Sequence, residues 1–266
     1  MTDAPLLVAL DIDGTLLSED GTMSDAVIEA AEAASVRGHI LMLATGRSWE
    51  TTHHVLDQLG ITPEYVVCAN GALVMKRDAT EPTGYRRHLI ETFNPREVLT
   101  QIRSHLADGR YMVEYPSGYR RYTQGMTDWN LENAEEVEFE HLLSEPVTRV
   151  VVVSPEHDEL DFLSVVEKMG LHSVTYAIGW TAWLDIAPLG VNKSTALERV
   201  REWLDVPEDR IVAVGDGRND IEMFQWAGRS GRAVAMGQAP DDVKAVATEV
   251  TGSIDDDGLA AVLRSL

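Results

Sequence analysis

Four polar clusters carry most of the chemistry this 266-residue chain could perform. The first is Asp11-Ile12-Asp13-Gly14-Thr15, directly after the apolar run Leu6 to Leu10. Such a run reads as a strand buried in a parallel sheet. Side chains alternate along extended backbone, so Asp11 and Asp13 are expected to project to one side. Two carboxylates held close raise each other's pKa unless a cation lies between them. The competing reading is an Asx-turn, in which Asp and Gly serve geometry alone. The second cluster, Thr45-Gly46-Arg47, offers a hydroxyl and a backbone N–H at a strand-to-helix turn, a natural phosphate seat. The bland alternative is an N-cap threonine. The third is Lys193, in the first turn of a helix expected after Pro188-Leu189-Gly190. A cation there opposes the helix dipole by ~0.3–1 kcal/mol, unless an anion bound at the helix start reverses the sign. A solvated surface lysine is the alternative. The fourth is Gly215-Asp216-Gly217-Arg218-Asn219-Asp220, whose acids could equally be ordinary N-terminal helix acids.

The elements around these clusters must bring them together. Helices are expected from Asp25 to Arg37, with Ser24 as N-cap and Gly38 as stop, and from Ser48 to Leu59, stopped by Gly60. Strands are expected from His39 to Ala44 and from Tyr65 to Ala69, the latter ending at Asn70-Gly71. Strand, helix, strand, helix, strand is the pattern of a parallel α/β sheet with right-handed crossovers. It returns late in the chain: a helix from Asn192 to Leu204, a strand from Arg210 to Val214, a helix from Asn219 to Gly228, a strand from Gly231 to Ala235, and helices from Pro240 to Thr248 and Asp256 to Leu266. In open parallel sheets, ligands bind beyond the carboxyl ends of the strands. Asp11, Asp13, Asp216 and Asp220 would then share one crevice, and hard carboxylate oxygens favour Mg²⁺.

Between these halves the pattern changes. Strands are expected at Arg87–Glu91, Arg110–Tyr115, Val147–Ser154, His172–Ala177 and Ala182–Ile186, with helices at Pro95–Ala107 and Glu156–Met169. This is an inserted α/β domain with an open, antiparallel sheet. Residues 1–82 and 188–266 form the discontinuous core and residues 83–187 the insertion.

Composition bounds the partners. Acidic residues outnumber basic ones by 44 to 22, and a formal charge of −22 opposes binding to nucleic acid or anionic membranes. An anionic substrate must therefore be drawn in by local cations or a metal. The single cysteine, Cys68, lies in an apolar run and is expected as a buried thiol. No basic region followed by an apolar core opens the chain, and no apolar stretch approaches the ~20 residues that cross a bilayer. A soluble cytoplasmic protein is expected.

The order Asp-Ile-Asp-Gly-Thr, Ala-Thr-Gly-Arg, Asn-Lys, Gly-Asp-Gly-Arg-Asn-Asp resembles the haloacid dehalogenase superfamily. With Asn70-Gly71 and the long insertion, it is similar to the Cof-type branch, subclass IIB. The resemblance implies a Rossmann-like parallel-sheet core with an inserted α/β cap of C2 type. It implies a Mg²⁺-dependent phosphatase of a small phosphorylated metabolite, such as a sugar phosphate. Asp11 would be the nucleophile that forms an aspartyl-phosphate, and Asp13 the acid and base. Thr45, Gly46, Lys193 and Asn219 would hold the phosphoryl group. Asp11, the carbonyl of Asp13, and Asp216 would bind the metal, supported by Asp220. Arg47, Asn70 and Gly71 would lie near the substrate. In the cap, Tyr119, Arg120 and Trp183 are candidate substrate contacts, with Tyr115, Arg121, Tyr122 and Trp180 beside them; Arg120 and Arg121 form a basic island in an acidic chain. Two other outcomes stay open: a phosphotransferase similar to phosphomannomutase, whose acceptor is a second sugar phosphate, and a non-catalytic phosphometabolite sensor. Oligomeric state is not legible.

Overall fold

A computed structural model describes residues 4–125, 131, 133–155, 159–178 and 182–266. The chain divides into two compact units, Met1–His88 with Asn192–Leu266, and Leu89–Val191.

The first unit is built on β1 (Leu7–Leu10), α1 (Asp25–Val36), β2 (Ile40–Leu43), α2 (Trp49–Leu59), β3 (Tyr65–Cys68), β4 (Leu73–Arg77) and β5 (Tyr85–Ile90). Local sequence chemistry sets the helix ends. The Ser24 hydroxyl accepts from the Val27 N–H at 3.2 Å, and Gly60 closes α2 in the left-handed region at φ 68°. After the insertion come α5 (Lys193–Trp203), β12 (Ile211–Gly215), α6 (Ile221–Ala227), β13 (Arg232–Ala235), α7 (Asp241–Lys244), β14 (Glu249–Val250) and α8 (Gly258–Arg264). Five strands form one sheet in the order β14-β13-β12-β1-β2, all parallel. Strand β1 lies between β12 and β2, in register Leu10↔Val214 and Leu10↔Leu43, so its apolar side chains are fully buried on both faces. The first and fourth clusters thereby leave neighbouring strands at the same edge.

Two expectations change. Strand β3 does not simply extend the parallel sheet. It meets β2 through one parallel bridge, Ala44↔Val67, and pairs antiparallel with β4, a strand not expected from sequence. The helix expected from Pro240 to Thr248 is one short turn. The Thr248 and Thr251 N–H groups instead donate to Ala233 and Ala235 at 2.8 and 2.9 Å, drawing the chain onto the sheet edge as β14.

The second unit contains α3 (Arg96–His105), β6 (Arg110–Glu114), β7 (Arg120–Tyr122), β8 (Ala134–Glu136), β9 (Arg149–Val153), α4 (Glu159–Met169), β10 (Val174–Ile178) and β11 (Trp183–Pro188). Its six-stranded sheet runs β10-β11-β9-β6-β7-β8 and is antiparallel except for β7 beside β8. Alternation sorts the faces. Tyr111, Val113, Val150, Val152, Leu184 and Ile186 pack with Phe162 and Val166 of α4 into one core, while Met112, Val151 and Val153 face the other way. Among the described residues, no helix is long and apolar enough to cross a membrane. Cys68 is buried.

Candidate active site

Backbone pairing brings Asp11 to the end of β1: its N–H donates to the Val214 carbonyl of β12 at 3.0 Å. The chain leaves the strand there. A tight turn follows, in which Gly14 adopts φ 76°. Asp11 is buried, whereas the Asp13 side chain is 60% exposed. The two acids therefore differ in exposure, Asp11 being held against β12 and Asp13 lying in the turn just beyond the strand.

Lys193 is the first residue of α5 and is completely buried. Asn192 caps that helix, accepting from the Thr195 N–H at 3.0 Å. The Lys193 ammonium donates to Asp11 Oδ1 at 2.6 Å and to Asp220 Oδ1 at 2.7 Å. Asp220 Oδ2 accepts from the Asp216 and Gly217 N–H groups, each at 3.0 Å. The Thr15 hydroxyl donates to Asp216 Oδ1 at 3.2 Å. A Cβ on Gly14 would fall 2.1 Å from Asp216 Oδ2, so only glycine lets the first turn approach the fourth. Asp11, Asp216 and Asp220 each present an oxygen, all within 4.8 Å of one another.

Three buried carboxylates thus face one ammonium. Burial pushes the Asp11 carboxyl well above its ordinary range; Lys193 pulls it down, while Asp220 and Asp216 push it up again. Burial, then Asp220, raises Asp216 to about 7. Burial disfavours the charged amine of Lys193, yet Asp11 and Asp220 outweigh it and raise its pKa. The lysine stays charged, and negative charge remains in excess.

The second cluster borders this group. Thr45 is fully buried, and its hydroxyl accepts from the Arg47 N–H at 3.1 Å. The Arg47 guanidinium makes a two-pronged pair with Asp13, through Nε to Oδ2 at 2.9 Å and through Nη2 to Oδ1. Burial would lower the Arg47 pKa, but Asp13 and then Asp11 raise it. Asn219 donates to Asn70 Oδ1 at 3.2 Å, and Asn70 lies against Gly46. Asp11, Asp13, Thr45, Gly46, Arg47, Asn70, Gly71, Lys193, Asp216, Asn219 and Asp220 thus form one connected neighbourhood. The Asp13 carboxylate stands outside the three-acid group.

The expected residues of the inserted domain do not form one cluster. The Tyr119 hydroxyl donates to Glu135 Oε2 at 3.0 Å. Arg120 is not a solvated cation: β6–β7 register sets it opposite Glu114, and it is buried with that carboxylate at 3.7 Å. Arg121 contacts Glu135 at 3.4 Å and Glu145 at 3.7 Å, so the pair is no unbalanced basic island. Trp183 and Tyr122 pack against Met112, Val151 and Val153. Tyr115 stacks on Tyr119 with centroids 6.2 Å apart. Trp180 lies outside the described residues.

Sequence reasoning overlooked three contributors. Thr15 was within the first cluster and could have been found there. Asn192, a polar N-cap immediately before Lys193, carried a capping signal. Gln238, which donates to the Gly14 carbonyl at 2.5 Å, had no local signal at all.

Comparison with known proteins agrees with this geometry. The model for haloacid dehalogenase-like hydrolases matches residues 8–263. The 5-amino-6-(5-phospho-D-ribitylamino)uracil phosphatase YitU of Bacillus subtilis is 28% identical over 278 residues, covering 99% of this chain and 98% of its own. The pyridoxal phosphate phosphatase YbhA of Escherichia coli is 28% identical over 275 residues, covering 97% of each. The fold resembles that of the HAD subclass IIB sugar phosphatase BT4131, with TM-score 0.78 at 23% identity and 98% of each chain covered. It also resembles TM0651 of Thermotoga maritima, with TM-score 0.71 at 24% identity, covering 99% of this chain and 98% of that one.

Proposed function

Because this chain belongs to the haloacid dehalogenase-like hydrolases, we propose that it is a cytoplasmic, Mg²⁺-dependent phosphatase of a small phosphomonoester. The observation that carries the proposal is the buried Lys193 ammonium shared between Asp11 and Asp220. A buried lysine with two carboxylates costs desolvation and gives little stability by itself, so it is best understood as chemistry.

Asp11 is the nucleophile. One of its oxygens forms a bond to phosphorus as the bond to the leaving oxygen breaks, and Asp13 donates its proton to that oxygen. Water then attacks the aspartyl-phosphate; the phosphorus–Asp11 bond breaks and Asp13 takes the water's proton. One hard displacement becomes two easier ones. Thr45, the Gly46 N–H, Asn219 and Lys193 stabilise the charge spread over the phosphoryl oxygens. Arg47, paired with Asp13, holds the acid in place.

The residues present fit a divalent cation. Their donors are oxygens only, and burial, with neighbouring acids adding to it, holds Asp11 and Asp216 above their ordinary pKa ranges. Asp11, Asp216 and the Asp13 carbonyl would hold Mg²⁺, with Asp220 in support. When bound, it neutralises the approach of one anion to another. A 28% identical phosphatase of a phosphorylated ribitylaminouracil and another of pyridoxal phosphate support a small phosphomonoester as substrate.

The test is phosphate release over a panel of metabolite phosphates, with Mg²⁺ and with EDTA. Free inorganic phosphate that disappears with EDTA supports the proposal. Phosphate moved only between sugar positions would make the enzyme a transferase, and binding without turnover would make it a sensor.

A further inference from the structure

We propose that Asn70 is a positioning residue that locks the Thr45–Arg47 turn to the Asn219 turn and thereby fixes the phosphoryl seat; this rests on the phosphatase reading above. Residues 69–71 form an elbow with three successive left-handed positions, Ala69 at φ 49°, Asn70 at φ 49° and Gly71 at φ 97°. Left-handed backbone is unfavourable for alanine, and runs of it are rare outside glycine. The elbow is held by what it contacts. The Ala69 N–H donates to the Arg47 carbonyl at 2.8 Å, and the Asn70 N–H to the Thr45 carbonyl at 3.0 Å. Both bonds clamp the turn that presents the Thr45 hydroxyl and the Gly46 N–H.

The Asn70 side chain extends the clamp. Its carboxamide lies so close to Gly46 that a Cβ there would fall 3.1 Å from Nδ2 and 3.2 Å from Oδ1. Its Oδ1 also accepts from Asn219 Nδ2 at 3.2 Å. One neutral side chain thus spans two loops that both face the phosphoryl group in the proposed mechanism, one of them reached by a hydrogen bond across 149 residues. The next residue completes the join. A Cβ on Gly71 would fall 2.2 Å from the Asn192 carbonyl, so the elbow abuts the start of the helix that carries Lys193. Asparagine suits this post because it tolerates the left-handed region and offers an uncharged acceptor. The sequence expectation set Asn70 near the substrate; its amide engages the two loops that border the site.

The experiment uses the full-length enzyme with Mg²⁺. Asn70→Gly keeps the left-handed backbone and deletes the amide. It should lower kcat/KM about tenfold and weaken competitive inhibition by inorganic phosphate about equally, with melting temperature and Mg²⁺ affinity unchanged. Asn219→Ala should cost a similar factor. If the two act as one link, the double variant loses about tenfold, not about a hundredfold. A wild-type phosphate inhibition constant in Asn70→Gly, or multiplicative losses, would overturn the inference. Should Asn70→Gly melt early, Asn70→Asp preserves shape and acceptor while placing a negative charge beside the seat. Phosphate affinity lost with the fold intact then supports the placement of Asn70 beside the seat, and affinity retained refutes the inference. The wild type separates the two failures: no phosphate release from any ester sinks the phosphatase reading itself, whereas an active wild type beside a normal Asn70→Gly sinks only the role of Asn70.

Discussion

Replacing Lys193 by methionine tests the charge arrangement most directly. Methionine is close in length and volume, so the perturbation is the loss of one positive charge rather than a cavity. The amine is fully buried and donates at 2.6 and 2.7 Å to carboxylates that are themselves buried. Removing one partner of a buried ion pair costs ~3–5 kcal/mol, because the remaining charge has no counter-ion. Here the carboxylates have an escape, since Asp11 and Asp216 already lie above their ordinary pKa ranges and can take up a proton. The lower end, about 3 kcal/mol, is therefore expected without metal, or roughly a 6–12 °C fall in melting temperature. The pH dependence has a definite sign. Loss of Lys193 removes the charge that pulls Asp11 down, so its folded-state pKa rises further above the ordinary carboxylate range. A carboxyl raised in the folded state binds protons there; its stabilisation is complete below the unfolded pKa and declines as pH climbs through the folded one. The gap between wild type and Lys193→Met must then widen as pH rises above the ordinary carboxylate range. Added Mg²⁺ should narrow it by supplying the missing positive charge. Calorimetry across that rise in pH reads stability, and phosphate release reads turnover, which should fall by ~10²–10³. A variant that melts with wild type at the alkaline end and turns over normally would refute the reasoning.

Three further outcomes follow from the same geometry. Asp11→Asn should abolish turnover while leaving the fold intact, and acid-quenched wild-type enzyme should carry a phosphoryl group on the peptide containing Asp11, read by mass spectrometry. Arg47→Ala removes the two-pronged partner of Asp13; kcat/KM should fall by ~10- to 100-fold for alkyl phosphates, which need a proton on the leaving oxygen, and much less for 4-nitrophenyl phosphate, which does not. Equal losses on both substrates would show that Arg47 acts on binding alone. Gly14→Ala forces a Cβ to 2.1 Å from Asp216 Oδ2 at φ 76°; melting temperature should drop and Mg²⁺ affinity should weaken, both measurable by calorimetry, and an unchanged affinity would mean Asp216 does not hold the ion.

Most of the site was legible because its parts are local. Each cluster follows an apolar run that could only be a buried strand or its following turn, and parallel strands deliver their ends to one edge. Asp11, Asp216 and Asp220 needed only that rule to be placed together; Lys193 opens a helix rather than ending a parallel strand, and its place came from the resemblance. What failed was non-local. Leu73 to Arg77 is a short apolar run like any other, and only its pairing with Tyr65–Cys68 makes it a strand. The helix expected to Thr248 lost to hydrogen bonds with Ala233 and Ala235, distant in sequence. Arg120 read as part of a basic island because nothing near it in sequence announces Glu114, its cross-strand neighbour. Asp13 is more exposed than Asp11, which alternation alone does not announce, yet it still lies close enough to push the Asp11 pKa up.

The excess of acid in the pocket mirrors the excess over the whole chain, but the two have different consequences. Surface carboxylates are solvated and screened, so a formal charge of −22 slows an anionic substrate without preventing its binding. Asp11, Asp216 and Asp220 are buried, and their repulsion is felt at nearly full strength. Lys193 alone does not balance them. Adding a second ammonium would satisfy the folded state but leave Asp11 paired on both sides and a poor nucleophile. A proton would satisfy it too, at the expense of nucleophilicity. A divalent cation is the counter-charge that leaves Asp11 ionised while also engaging the incoming phosphate. A pocket short of positive charge is therefore less stable alone than it could be, and that shortfall is what selects a cation together with a phosphoryl group.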